Sequence, residues 1–167
     1  AFFYRTGDSA GVNFQVNQSL IALGSGNIFG LGLGNSIQKY SYLPEAQTDF
    51  IFAIIGEEFG MVGTLVIILL FLLLAFFCIR VCLKTQDYFG RTIAGAITGL
   101  IITQAIINIC VVVGLMPVTG LTLPFISFGG SSLLTCMIST GIILNISRQN
   151  FTVTKKTEEE LRNALHD

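Results

Sequence analysis

The sequence predicts an all-α polytopic membrane protein, with three transmembrane helices and a large extracytoplasmic loop. Three observations carry that expectation. Apolar residues make up 52% of the chain and charged residues only 11%, well below the quarter or so typical of soluble domains. Phe59 to Ile79 carries no charge, and about 21 residues rising about 1.5 Å each span roughly the 30 Å of a hydrocarbon core. Thr92 to Ser147 is uncharged as well, but Pro117, Gly120 and Pro124 divide it into helices of about 25 and about 17 residues.

Taken in order, residues 1–48 form an extracytoplasmic loop, partly helical or re-entrant. Phe14 to Leu23 is a short amphipathic stretch, and GSGNIFGLGLGNS follows from Gly24 to Ser36. Its glycine spacing fits neither the dinucleotide fingerprint nor a P-loop, which leaves a tightly turning or re-entrant segment. The first span, 49–82, opens with Thr48 as its N-cap and carries Gly56, Gly60 and Gly63, which permit close helix contact. A cytoplasmic loop, 83–91, leads to the second span, 92–116. There Gly95 and Gly99 share one face and Gln104 and Asn108 the opposite one, so neighbours are expected on both sides and the amides read as interhelical hydrogen bonds.

Residues 117–130 form the second extracytoplasmic loop, whose irregular backbone must meet protein or water rather than lipid. The third span is 131–147, and 148–167 is a cytoplasmic tail in which Thr157 and Glu160 match a capping box. Cys78, Cys82, Cys110 and Cys136 lie in or beside the spans at neither disulfide nor zinc spacing, and read as buried thiols.

Charge sets the orientation. Arg80, Lys84 and Arg91 outnumber Asp87 around the first connection, and Arg148, Lys155 and Lys156 follow the last span; both segments are expected on the cytoplasmic side. Residues 1–48 and Met116 to Gly130 then face outward. A net charge of −1 gives no sign of a nucleic-acid partner. The chain opens in a polar loop without an initiator Met or a signal peptide. It reads as the C-terminal part of something longer, whose other helices are needed to complete a polar cavity.

The chemistry concentrates in YLPEAQTDFIFAIIGEEF, Tyr42 to Phe59, where an acidic loop meets an apolar run. A charge at the centre of a membrane helix costs about 2.5–3.5 kcal/mol on insertion scales and so faces a cavity or a partner. Glu57 and Glu58, about two turns past Asp49 in a continuous helix, read first as ion-pair partners for a Lys or Arg from elsewhere. Asp49 sits at the mouth, where a polar substrate reaches it while a lipid tail stays in the bilayer. On physical grounds alone the first reading of Asp49 is an acid in a helix's first turn, favoured by the dipole by about 0.3–1 kcal/mol.

These segments resemble the SEDS family (shape, elongation, division and sporulation) of membrane glycosyltransferases that polymerise lipid II into peptidoglycan. The resemblance lies in GSGNIFGLGLGNSIQKYSYLPEAQTDFIFAIIGEEFG, QAIINICVVVGLMPVTGLTLPFISFGGSSLL and the closing NISR, which cover nearly all of residues 18–148. YLPEA, without a Gln-containing form after LPE, is more similar to the division and sporulation branch (FtsW, SpoVE) than to RodA.

The resemblance implies a fold of approximately ten helices, of which this chain holds the last three and the large loop before them. It places the family's essential aspartate at Asp49, as the base that deprotonates the acceptor sugar's 4-hydroxyl during attack on the lipid-pyrophosphate donor, giving inversion and a β-1,4 glycan. It assigns substrate binding to Lys39, Glu45, Thr48, Ser127 and Ser131, and a structural or metal-binding role to Glu57 and Glu58. A divalent cation, Mg or Mn, is implied as cofactor, with no legible ligand set. Implied partners are lipid II, the growing glycan strand, a class B penicillin-binding transpeptidase, other divisome proteins and membrane lipid. The implied location is the bacterial cytoplasmic membrane, at the division septum.

Two positions depart from the pattern: Gln47 stands where the family usually has His, and Ser41 where some division enzymes carry a second loop acid. Without the other helices and their cationic groups, the chain alone is expected to be inactive. Two rival readings remain at this level: a lipid II flippase, and a non-catalytic divisome scaffold.

Overall fold

Long uncharged runs can satisfy their backbone only within themselves, which in lipid means helix. The structure, a computed structural model, describes residues 10–34 and 48–164, with backbone alone for 10–13 and for 151–164 except Asn163. They form four helices: α1 (Ala10–Ser25), α2 (Ile51–Lys84), α3 (Tyr88–Val112) and α4 (Gly130–Ala164). No strand occurs among the described residues. α2, α3 and Gly130–Asn150 of α4 are each long and apolar enough to cross a membrane.

Local hydrogen bonding sets the helix ends, which differ from those read by charge and proline. The α2–α3 connection is only residues 85–87, not 83–91. The Thr85 hydroxyl donates to the Val81 carbonyl at 2.7 Å and closes α2, while the Asp87 carboxylate accepts from the Gly90 N–H at 2.7 Å and caps α3. The Asn150 side chain of α4 donates to the Thr85 hydroxyl oxygen at 2.6 Å, tying α4 to that turn.

α3 stops at Val112 rather than residue 116 because Gly114 takes a left-handed φ of 74°. The Leu115 N–H reaches the Cys110 carbonyl at 2.8 Å and the Gly114 N–H reaches Val111 at 3.0 Å, a Schellman closure. Val112 keeps a free carbonyl in that motif, and the buried Ser19 hydroxyl of α1 lies 2.9 Å from it and 2.8 Å from the Val16 carbonyl, sharing its one proton between the two. α4 continues without interruption to Ala164, so Thr157 lies inside a helix and caps none.

α3 buries Ala94, Thr98, Ile101, Ala105, Asn108 and Val112, a spacing of alternating four and three residues that forms one stripe. Gly95 and Gly99 lie off that stripe and meet nothing within 4 Å; within the described residues α3 is contacted on one side, not two. All four cysteines are free, Cys78 and Cys136 buried and Cys82 and Cys110 half-buried.

α2 is not one continuous helix. Gly60 (φ 68°, ψ −159°) breaks it, in a backbone region that is essentially glycine-only. The glycine-rich segment after α1 fills the break. The Leu31 and Gly32 N–H groups donate to the carbonyls of Glu57 (2.9 Å) and Glu58 (3.0 Å), and the Met61 and Val62 N–H groups donate to the carbonyls of Asn27 (3.0 Å) and Ile28 (3.3 Å). Two backbones approach this closely only without side chains: a Cβ on Gly26 would strike the Gly56 carbonyl, and one on Gly30 the Glu58 carbonyl. Nine residues of helix separate Ile51 from the break, about 14 Å along the axis, so the segment enters beside the upper part of α2. The segment turns tightly beside α2, and a helix break receives it.

The hydrophobic core lies above that break. Ala22 of α1, Phe50, Phe52, Ala53 and Ile54 at the head of α2, Ala105, Val111 and Val112 of α3, and Leu123 pack as one cluster. Below it, α2 exposes Leu65, Leu69, Leu72, Leu73, Phe76 and Phe77, a surface suited to lipid or other helices.

Candidate active site at the head of the second helix

The core fixes the turn that carries Asp49. Phe50, 1% exposed, anchors it and serves as the N-cap of α2, with no side-chain cap bond. Thr48 is therefore not the cap, and Asp49 precedes the helix instead of sitting in its first turn. Asp49 still lies within a turn of the helix N-terminus, so the dipole's preference for an acid there continues to apply.

α3 holds the turn through one side chain. Asn108, 1% exposed, donates both of its amide hydrogens, one to the Asp49 backbone carbonyl at 2.9 Å and one to the Leu121 carbonyl at 2.6 Å. One turn earlier Gln104 donates to the Thr122 carbonyl at 2.9 Å. The amides thus bond from helix to loop, not from helix to helix, because the irregular connection after Pro117 has carbonyls without ladder partners. Further along that loop the Thr122 and Ser132 hydroxyls pair at 2.9 Å, bringing in the start of α4.

The result is a small polar edge made of the turn at residues 48–50 and the loop after α3. Gly120 (φ 67°) passes directly beside the Asp49 carboxylate: a Cβ there would stand 3.7 Å from Asp49 Oδ2. Asp49 is half-buried, and Asn108 holds its backbone and the neighbouring loop at Leu121 through their carbonyls.

The other expected site residues are distributed unevenly. Ser127 is buried, and its hydroxyl accepts from the Leu123 N–H at 2.7 Å, bracing the loop from within. Ser131 is exposed at the start of α4, and its carbonyl accepts from the Thr135 hydroxyl. Thr48 is half-buried next to Asp49. Lys39, Glu45, Ser41 and Gln47 lie outside the described residues.

Glu57 and Glu58 sit at the helix break, about 12 Å along α2 from Asp49. Glu57 is 1% exposed, and Glu58 Oε1 is buried with no hydrogen-bond partner among the described residues. Among the described residues no three Asp, Glu, His or Cys side chains converge on a point.

Sequence reasoning missed Asn108 as the anchor of the Asp49 turn, and missed Thr122 and Ser132 as the link to α4. The signal available was an Asn one turn beyond a Gln on the buried stripe of a membrane helix, facing a proline-rich connection.

Comparison with known proteins gives a consistent result. The FtsW/RodA/SpoVE family model, described as cell cycle protein, matches residues 1–152. Stage V sporulation protein E of Bacillus subtilis is 52% identical over 141 residues, covering 84% of this chain and 38% of that protein. Probable peptidoglycan glycosyltransferase FtsW of the same organism is 48% identical over 162 residues, covering 95% and 39%. The FtsW of Trichlorobacter lovleyi is 48% identical over 147 residues, covering 88% and 39%. A solved structure described as "Structural coordination of polymerization and crosslinking by a peptidoglycan synthase complex" superposes with a TM-score of 0.66 at 28% identity, covering 81% of this chain and 37% of that one. The chain thus spans under two fifths of the length of these relatives. An all-helical architecture with three membrane-length helices, a family match over most of the sequence and near-50% identity to several members agree: the chain belongs to the FtsW/RodA/SpoVE family.

Proposed function

We propose that this chain is the C-terminal part of a peptidoglycan glycosyltransferase that polymerises lipid II into β-1,4-linked glycan during division or sporulation, with Asp49 as the general base. The observation that carries the reading is the placement of Asp49. It is the carboxylate that stands ahead of a membrane-length helix, on a braced turn, at the end of the bundle opposite the Arg80 and Lys84 side. By the positive-inside rule that end faces outward. Relatives named peptidoglycan glycosyltransferase support the reaction class.

In the proposed step Asp49 takes the proton from the 4-hydroxyl of the acceptor sugar. The resulting oxygen nucleophile attacks the anomeric carbon of the donor, the new glycosidic C–O bond forms, and the bond from that carbon to the lipid pyrophosphate breaks with inversion. The lipid pyrophosphate leaves with the electron pair, and Asp49 passes its proton to water. A general base contributes about 10²–10⁴-fold, provided that its reach to the reacting hydroxyl is held. Asn108 and Gly120 supply that positioning.

A Mg or Mn ion takes one or two carboxylates plus substrate phosphate oxygens. Asp49 with the donor's pyrophosphate fits that pattern; Glu57 and Glu58 lie too far along α2 to join it. When bound, such an ion would neutralise charge on the departing pyrophosphate. Thr48 and Ser131 are carried in the proposal as substrate-side polar groups, together with Lys39 and Glu45, whereas Ser127, buried and bonded to the Leu123 N–H, acts by bracing the loop. The proposed setting is the bacterial cytoplasmic membrane at the septum. The proposed partners are a class B penicillin-binding transpeptidase and other divisome proteins.

The test is lipid II polymerisation by the full-length protein with its transpeptidase, comparing wild type with Asp49→Ala and Asp49→Asn at equal expression. Loss of glycan strands with the complex intact is expected. Unchanged polymer in Asp49→Ala would overturn the assignment. Movement of labelled lipid II across vesicles without glycan growth would replace it with transport.

A further inference from the structure

The hydrogen bonds at the Gly60 break have a register that the packing alone does not require. In an unbroken α-helix the N–H of Met61 bonds the carbonyl of Glu57, and the N–H of Val62 bonds that of Glu58. Those are the same four groups that the segment after α1 occupies: Glu57 and Glu58 accept from Leu31 and Gly32, and Met61 and Val62 donate to Asn27 and Ile28. The segment has been inserted between two pairs of groups that would otherwise bond each other.

We propose that Gly26–Gly34 and the Gly56–Val62 part of α2 form a two-state clip. In the clipped state, seen here, the four helix groups bond the segment. In the healed state Gly60 takes a helical φ, Met61 bonds Glu57, Val62 bonds Glu58, and the segment is released. The helix loses no hydrogen bond in the exchange; only the segment's own four groups must find water or other partners. The clipped state is therefore favoured while the segment lies at membrane depth.

Glycine is what permits both states. Gly60 reaches φ 68° in one and the helical region in the other, and Gly30 (φ 78°) packs against it; a Cβ on Gly60 would strike the Gly30 nitrogen and the Ile28 carbonyl. The exchange also moves the site. Asp49 is tied to α3 by Asn108, at the head of the short upper piece of α2, whereas the rest of α2 lies beyond the break. Straightening α2 cannot leave both pieces where they are, so the state of the clip sets where Asp49 stands relative to the lower helix. This device does not depend on Asp49 being a base.

Amide hydrogen exchange distinguishes the two states without reference to activity. The full-length protein in lipid nanodiscs is compared with its Gly60→Ala variant, reading peptides that isolate residues 28–34 and 58–64. Wild type is expected to protect the amides of Leu31, Gly32, Met61 and Val62 alike. In Gly60→Ala the Leu31 and Gly32 amides are expected to exchange at least tenfold faster, while Met61 and Val62 keep their protection, now within the helix. Loss of protection at all four would mean that the break melts and does not heal, and would overturn the proposal; so would unchanged protection at all four. If Gly60→Ala does not fold, Gly30→Ala enters the same exchange from the segment side. There a Cβ strikes the Glu58 carbonyl, Gly60 is kept, and the same signature is required.

Discussion

Replacing Asn108 by leucine tests the site with a side chain of nearly the same shape. The substitution removes the donors to Asp49 and Leu121. Each such bond contributes about 0.5–1.5 kcal/mol net, so the pair accounts for about 1–3 kcal/mol. The leucine also removes a liability, because Asn108 Oδ1 is buried with no partner among the described residues, and relief of one such group returns about 1 kcal/mol. The net loss of stability is thus about 0–2 kcal/mol, a small downward shift in melting temperature of a few degrees at most.

Activity should respond far more strongly. Asp49 would lose the tether that fixes its turn, and a displacement of about 1 Å at a reacting group costs about 10²-fold in rate. In a polymerisation assay of the full-length protein with its transpeptidase, kcat is expected to fall about 100-fold with little change in KM. Gln104→Leu serves as the comparison. It frees the Thr122 carbonyl of the same loop but does not touch Asp49, so its kcat should fall much less. If Asn108→Leu polymerised lipid II within twofold of wild type, or raised KM with kcat intact, the positioning argument would fail.

The remaining expectations concern the hydrogen bonds at the two ends of α3. Asp87→Ala removes the N-cap bond to the Gly90 N–H and should cost about 0.5–2 kcal/mol, read as a lower melting temperature with polymerisation per folded molecule unchanged. Ser19→Ala deprives the Val112 carbonyl of its donor at about 0.5–1.5 kcal/mol. Because that bond ties α1 to α3, faster hydrogen exchange should appear along α1 before it appears in α3.

Much of this architecture was legible because lipid leaves few options. Runs without charge had to be helices, and their number and approximate extent follow from length alone. Helix ends were less legible, since charge and proline mark where a span must have stopped and not where hydrogen bonding stops it. Gly114 ends α3 ahead of Pro117, and Asp87, counted in the sequence only as a charge, starts α3 as a cap. Asp49 could be singled out from its position between an acidic loop and an apolar run. Its place before the helix could not, because it depends on Phe50 being buried against α1 and α3, a long-range contact that no local pattern records.

The glycines show the same division at finer scale. Gly56, Gly60 and Gly63 look alike in sequence, three small residues on a membrane helix, and each is consistent with close packing. Their environments differ in kind. Leu23 of α1 packs on Gly56, Gly63 faces Phe59 of its own helix, and Gly60 alone leaves the helical region to receive a second backbone. What selects Gly60 is the pairing of its four neighbouring helix groups with Asn27, Ile28, Leu31 and Gly32, residues about thirty positions earlier in the chain whose turning backbone has no helix or ladder of its own to satisfy these groups. The glycine-rich run and the broken helix therefore explain each other: without the break these groups of the run would lose their partners, and without the run those of the break would lose theirs. A sequence read one segment at a time shows two glycine-containing stretches, and the physical reason for either appears only when they are placed together.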